Sequence, residues 1–156
     1  MIKFHFTFDK TDKSQKLKKI LLKKYKSISP SFADVIVVAG GDGYMLNVLK
    51  KLAIYKKPFY GINCGSFGFL MNRYTQSDLV NKIKKAKKTS INPLELIATN
   101  KKSLIAVNEV SIFRQSRQTA SLQLEVDKKI IIKKLISDGV LISTPAGSTA
   151  YNLSVH

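Results

Sequence analysis

The run Val35-Ile36-Val37-Val38-Ala39 is apolar at every position, leads directly into Gly40-Gly41-Asp42-Gly43, and precedes Tyr44–Leu52, whose apolar residues recur at helical spacing. A short, continuously apolar run bounded by glycines is the pattern of a strand buried on both faces. Such strands occur in parallel sheets with helices packed on either side. The chain therefore begins as α/β: strand, glycine turn, helix. Three glycines let a bulky anion approach the backbone, and the N–H groups opening the next helix would face it. Binding a phosphate needs no acid, so Asp42 is the informative residue. A carboxylate near a phosphate is unfavourable unless it holds a metal or takes a proton from a nucleophile. Asp42 thus points to phosphoryl transfer; the alternative is an Asp that only caps the helix.

The flanking sequence fits this start. Ile2, Phe4, Phe6 and Phe8 alternate with Lys3, His5 and Thr7, the mark of a half-buried strand, and Leu17, Ile20, Leu21 and Tyr25 form one helical face. Pro58–Asn63 reads as a further strand, which completes a β-α-β unit. Thr75 and Asp78 resemble a capping box for a helix through about Lys88. From Ile91 the pattern changes to short β-rich runs: Leu94–Ala98, Leu104–Val107, Val110–Phe113, Leu122–Val126 and Ile130–Ile132. Polar turns at Asn100–Ser103 and Asp127–Lys129 predict antiparallel hairpins. The expected architecture is an α/β domain over residues 1–89, a parallel sheet with flanking helices, followed over residues 90–156 by an incomplete all-β domain, antiparallel and sandwich-like. About 65 residues of strands is thin for an independent β domain, so the sequence reads as the amino-terminal portion of something longer, or a short form that leans on a partner.

The chain carries 27 basic and 10 acidic residues, a formal charge of +17. The lysines fall on helical polar faces and in turn pairs, and only three arginines occur. Arginine is the usual reader of bases and phosphates, so solvated faces are favoured over a nucleic-acid surface. The field would still attract a small anionic substrate. No apolar run is long enough to cross a bilayer and no hydrophobic leader is seen, so cytoplasm is the expected compartment. The single Cys64 has no ligand-like neighbours and is expected to serve in packing.

Two further loops carry chemistry. Gly61-Ile62-Asn63-Cys64-Gly65-Ser66-Phe67-Gly68-Phe69-Leu70 leaves a strand with three glycines and two aromatics, suited to a flat, partly apolar ligand. Its plainer reading is a flexible turn with Phe69 plugging the core. Ser137-Asp138-Gly139 precedes another strand, and Thr144-Pro145-Ala146-Gly147-Ser148-Thr149-Ala150-Tyr151 then crowds small hydroxyl residues into one turn. That turn could present donors to sugar hydroxyls or phosphate, and Tyr151 could stack on a ring; a helix cap at Ser148 is the plainer account.

Taken in order, the Gly40–Gly43 turn, Gly61-Ile62-Asn63 with Gly65 and Gly68-Phe69-Leu70, Asn108-Glu109, and Asp138-Gly139 leading to Ser143-Thr144-Pro145 and Gly147–Tyr151 resemble the ordered motif set of NAD kinases. The resemblance implies transfer of the terminal phosphate of ATP, or of polyphosphate, to the adenosine 2′-hydroxyl of NAD, with a divalent metal such as Mg2+. It implies that Asp42 orients and deprotonates that hydroxyl, and that Gly41 and Gly43 let the phosphates approach. Phe69 and Leu70 would line the adenine side, Asn108 and Glu109 would hydrogen-bond adenine and ribose, and Asp138 would accept from a ribose hydroxyl. Thr149, Ala150 and Tyr151, beside Ser148, would bind the other NAD moiety. Assembly as a homodimer or homotetramer is also implied; no metal-ligating side chain is assigned. Three positions depart from the family pattern: Tyr44 follows the Asp-Gly pair where a small hydroxyl or amide residue is usual, Ala146 replaces a hydroxyl residue, and Phe67 stands where Leu is common. Competing readings are a lipid kinase of the diacylglycerol or sphingosine type, which shares the glycine turn but needs an apolar tunnel, and a non-catalytic basic module that binds RNA or a membrane.

Overall fold

A computed structural model describes residues 2–75, 78–99 and 103–155. The chain falls into two compact units, Met1–Lys87 and Lys88–His156. The first contains β1 (Phe4–Phe8), α1 (Asp12–Lys24), β2 (Val35–Gly40), α2 (Asp42–Leu52), β3 (Phe59–Asn63), β4 (Asn72–Arg73) and α3 (Leu79–Lys85). Its four strands lie side by side in the order β1-β2-β3-β4, every neighbouring pair parallel.

All six residues of β2 are buried. Successive side chains point to opposite faces of the sheet, and the two cores follow that alternation. Val35, Val37 and Ala39 pack with Phe4, Phe6, Leu17, Leu21, Ile62 and Leu79 on the face covered by α1 and α3. Ile36 and Val38 pack with Met45 and Val48 of α2 on the other. Every position of the run therefore has to be apolar; each large side chain so buried contributes about 1.5–3 kcal/mol. Cys64 belongs to the α1-side core, as expected of a packing residue.

Capping groups set the helix ends. The Thr11 side chain accepts from Ser14 N at the start of α1, Asp9 Oδ1 accepts from Thr11 N and Oγ1, and Ser14 Oγ donates to Ala39 O at 2.9 Å, which pins the helix to the end of β2. For α3 the sequence expectation needs correction. Asp78, not Thr75, is the cap, its carboxylate accepting from Val80 N at 3.0 Å, and the helix ends at Lys85 rather than near Lys88. The final lysines bring no apolar side chain to bury, so no packing extends the helix past Ile83 by more than a turn. Gln76 and Ser77, in the predicted first turn, lie outside the described residues.

The second unit contains β5 (Leu94–Leu96), β6 (Leu104–Ala106), β7 (Glu109–Phe113), β8 (Ala120–Val126), β9 (Lys129–Ser137) and β10 (Gly139–Ser143). They pair as three antiparallel ladders, β5 with β6, β7 with β10 and β8 with β9. Asn100–Lys102 of the first predicted turn lie outside the described residues. The β8–β9 connection is the two-residue turn Asp127-Lys128, with φ of 50° and 63°. Both central residues of such a hairpin must be left-handed to match the strand twist, a conformation that costs most L-residues roughly 1–2 kcal/mol. Lys128→Gly is therefore expected to stabilise the second unit by about 0.5–1 kcal/mol in urea unfolding, the gain reduced by the freer unfolded chain.

Candidate active site

In the first unit the strand runs one residue further, and the helix begins two residues earlier, than the glycine pattern suggests. Gly40 ends β2, Gly41 alone is the cap, and Asp42 opens α2. Among the described residues no glycine has positive φ, so these glycines are needed for space rather than for a left-handed turn. A Cβ on Gly40 would stand 2.8 Å from Asp9 Oδ2 and from Tyr44 Cδ1. Gly41 and Gly43, by contrast, face open space, with nothing within 4 Å of an added Cβ. That clearance beside the N-terminus of an eleven-residue helix is where an anion could reach the backbone. Tyr44 packs half-buried against the α2-side core, which explains how a bulky residue is tolerated after the Asp-Gly pair.

The Asp42 carboxylate bridges to the second glycine loop. Oδ2 accepts from Phe69 N at 2.7 Å and Oδ1 accepts from Leu70 N at 3.1 Å. A Cβ on Gly68 would come 2.8 Å from Oδ1, so a glycine there lets the loop close on the acid. Leu70 packs on the α2-side core. Phe69 does not plug the core: Phe67 and Phe69 are 75% and 61% exposed and meet edge-to-face with ring centroids 5.1 Å apart. An ionised carboxylate offers about four acceptor sites, so two remain on Asp42 for a hydroxyl donor. The acid is thus held at both oxygens yet can still accept a proton or a hydrogen bond.

In the second unit the β7–β10 ladder sets the spacing of the expected site residues. Glu109 lies opposite Ser143 at one end and Phe113 opposite Gly139 at the other. Asn108 and Glu109 are therefore separated from Asp138 by the length of the ladder, about 14 Å at a strand rise of 3.4 Å per residue. Glu109 Oε2 is buried without a hydrogen-bond partner among the described residues. Asn108 anchors the hydroxyl-rich turn through its carbonyl, which accepts from Thr144 N at 2.7 Å.

Thr144 is the cap of that turn, in place of Ser148. It is 4% exposed; its Oγ1 donates to Val107 O at 2.7 Å and accepts from Gly147 N at 3.1 Å. Ser148 Oγ instead donates to Pro145 O at 2.8 Å. Residues Pro145–Gly147 and Tyr151–Val155 form 3-10 turns that carry the chain back along the ladder. Thr149 is exposed, Ala150 is half-buried, and Tyr151 reaches the far end, its ring 6.2 Å from that of Phe113. Asp138 is already partnered at that end. Arg114 Nε donates to its Oδ1 at 2.5 Å, and Arg114 N donates to its carbonyl at 2.9 Å. A ribose hydroxyl at Asp138 would share the carboxylate with this guanidinium.

The first unit thus brings Asp42, Gly68, Phe69 and Leu70 together. The second groups Asn108 and Glu109 with Thr144 and Gly147, and separately groups Asp138 with Arg114, Phe113 and Tyr151. Sequence reasoning places Thr144 in the hydroxyl-rich turn but not as its cap, and misses Arg114. Thr144 had a signal, a hydroxyl residue directly before Pro145 at the start of a turn. Arg114 had none, because its partner lies 24 residues away.

Comparison with known proteins bears on this arrangement. A sequence model of the ATP-NAD kinase N-terminal domain matches residues 1–91, and one of the ATP-NAD kinase C-terminal domain matches residues 107–155. The NAD kinase of Caulobacter vibrioides is 44% identical over 147 residues, covering 92% of this chain and 56% of its own length. That of Rhizobium meliloti is 44% identical over 155 residues, 97% of this chain and 60% of its own. The chain thus spans somewhat over half the length of these relatives. Among solved structures, yeast NADH kinase complexed with NADH aligns at a TM-score of 0.58 and 26% identity, over 78% of this chain and 39% of its own. An NAD kinase from Archaeoglobus fulgidus in complex with ATP aligns at a TM-score of 0.67 and 24% identity over 98% of this chain and 65% of its own, which shows a shared fold.

Proposed function

The chain belongs to the NAD kinase family, and from that premise we propose that it transfers the terminal phosphate of ATP to the adenosine 2′-hydroxyl of NAD, giving NADP. The observation that carries the reading is the fixed Asp42 carboxylate, tethered by Phe69 N and Leu70 N at the start of α2 beside the unobstructed backbone of Gly41 and Gly43. In a loose phosphoryl transition state the alcohol proton leaves late, so Asp42 serves mainly by orienting the hydroxyl and then receiving its proton. Gly41 and Gly43 admit phosphate oxygens to the helix N-terminus, and Phe69 and Leu70 border the adenine.

In the second unit, Asn108 and Glu109 take polar edges of the nucleotide and Asp138 accepts from a ribose hydroxyl, with Ser148, Thr149, Ala150 and Tyr151 meeting the other moiety. The unpartnered Glu109 Oε2 supports this, because a buried acceptor without a donor is costly unless a ligand supplies one. Binding groups at both ends of a ladder suit an extended dinucleotide. The relatives' names and the NADH and ATP complexes of the two solved structures support the choice of substrates. Magnesium completes the proposal. Among the described residues no three acidic, His or Cys side chains gather as a cage, so the ion would enter on the polyphosphate of ATP, where it neutralises charge. Polyphosphate as an alternative donor is served by the same cationic field. A homodimer or homotetramer is favoured by the apolar side chains left exposed in the second unit, among them Ile131, Ile136 and Ile142. No helix among the described residues is long and apolar enough to cross a membrane, and we place the protein in the cytoplasm.

The side chain of Asn108 makes no hydrogen bond among the described residues, so its removal tests ligand binding without disturbing the fold. Calorimetric titration is expected to show NAD binding weakened about tenfold by Asn108→Ala, the cost of a lost hydrogen bond and an unpaired ligand group. Unchanged affinity would remove Asn108 from the site.

A further inference from the structure

The first unit carries a groove that none of the roles above uses, between α1, the β3–β4 edge and α3. Its wide part is an open depression of about 470 Å³ lined by Tyr60, Arg73, Asp78, Asn81, Lys82 and Lys85. A pit of about 30 Å³ adjoins it, sharing Tyr60 and Arg73 and walled by Ile20, Leu21, Tyr74 and Leu79. The wide part falls within the roughly 300–1,000 Å³ typical of small-molecule sites.

Its charge is one-sided. Lys24, Arg73, Lys82 and Lys85 face a single acid, Asp78, whose Oδ1 already accepts from Tyr25 Oη and Val80 N at 3.0 Å each. None of the four cations has an ion-pair partner among the described residues, where Arg114–Asp138 is the pair observed. Nor do the Arg73 guanidinium, the Asn81 amide or the Tyr60 hydroxyl form a hydrogen bond among the described residues. Burial holds the Tyr60 phenol above its ordinary pKa, so it stays a proton donor. Lysines alone would be a solvated face. An exposed Arg fork and amide and a half-buried phenol line one depression beside an apolar pit, and with Asp78 as the one acid among them the set is rich in donors and poor in acceptors.

We propose that this groove binds a small molecule carrying a phosphomonoester or pyrophosphate next to a flat apolar group. Arg73 offers its planar fork to two phosphate oxygens, Lys82 and Lys85 supply point charges, Tyr60 and Asn81 donate further hydrogen bonds, and the tyrosine rings and aliphatic pit take the apolar part. The inference is independent of Asp42 and of the reaction proposed above.

An NMR titration of the chain with phenyl phosphate, pyrophosphate and inorganic phosphate decides it. The expected result is saturable amide shifts at Tyr60, Arg73, Asn81 and Lys82, with phenyl phosphate the tightest of the three. Arg73→Ala and Lys82→Ala should each weaken binding by at least about tenfold, the loss typical of a charge-assisted contact, whereas Lys18→Ala on the outer face of α1 should change nothing. Shifts confined to Gly41–Gly43, unsaturated shifts scattered over every lysine face, or unchanged affinity in Arg73→Ala would overturn the proposal. So would an RNA oligonucleotide that occupies the groove more tightly than phenyl phosphate, since that result makes the surface a polyanion track.

Discussion

Asp42→Ala is expected to lower the rate of phosphoryl transfer to NAD by about 10²- to 10⁴-fold, the usual loss when a positioned general base is removed. NAD affinity should change little, because the substitution deletes an interaction whose strength grows toward the transition state. Steady-state kinetics reads this as a fall in kcat with KM nearly constant. A second, purely structural effect accompanies it. Phe69 N and Leu70 N lose their acceptor, so the amides of this loop should exchange faster with solvent while those of β2 remain protected. Asp42→Asn separates the two effects. Its single carbonyl oxygen can keep one of the two loop bonds while its NH2 faces the other N–H, and it cannot take a proton, so the loop should lose less protection than in Asp42→Ala while turnover is lost. Full turnover in Asp42→Asn would mean that the acid is only a loop tether.

Gly147→Ala should unfold much of the second unit. The added Cβ would stand 2.1 Å from Asn108 O, 2.5 Å from its carbonyl carbon and 2.8 Å from its Cα, all backbone atoms that no rotamer change can move aside. Either the turn leaves Asn108 or the strand shifts, and both routes sacrifice the Thr144 N to Asn108 O bond and the buried Thr144 cap. A cost of at least about 3 kcal/mol follows, at the top of the range for overpacking. The second unit has little to oppose it: among its described residues the buried ones are Thr144 and Gly147, whereas the buried apolar residues lie in the first unit. Hydrogen exchange should show loss of protection across β7 and β10 with β1, β2 and β3 intact. Gly41→Ala is the control, since it meets no atom and should leave both units folded.

How far the sequence carried the fold depended on whether the information was local. The Val35–Ala39 run announced a two-sided strand because burial on both faces removes polar residues from every position, and the alternation of Phe4, Phe6 and Phe8 announced β1 in the same way. Asp42 was legible as a site residue because an acid in a phosphate-type turn conflicts with the bland role of such a turn. Its grip on Phe69 and Leu70 was not, since that contact joins residues 27 and 28 positions apart. Asp138 and Arg114 illustrate the same limit. The two-residue strand β4 was invisible for a different reason: Asn72 and Arg73 carry no strand pattern, and the pairing of Asn72 with Ile62 and Arg73 with Asn63 supplies the whole signal. The start of α3 is ambiguous in sequence because Thr75 and Asp78 are both good caps at capping-box spacing, and only the tertiary position of Leu79 in the core chooses between them.

The decisive measurement is the fate of radiolabelled γ-phosphate when the chain is incubated with NAD, ATP and magnesium. Label appearing on the adenosine 2′-oxygen of NAD, and vanishing in Asp42→Asn, is the predicted result. Label that stays on ATP although both nucleotides bind, or that reaches the product equally well without the acid, would contradict the assignment of Asp42 as the group that aims and deprotonates the accepting hydroxyl.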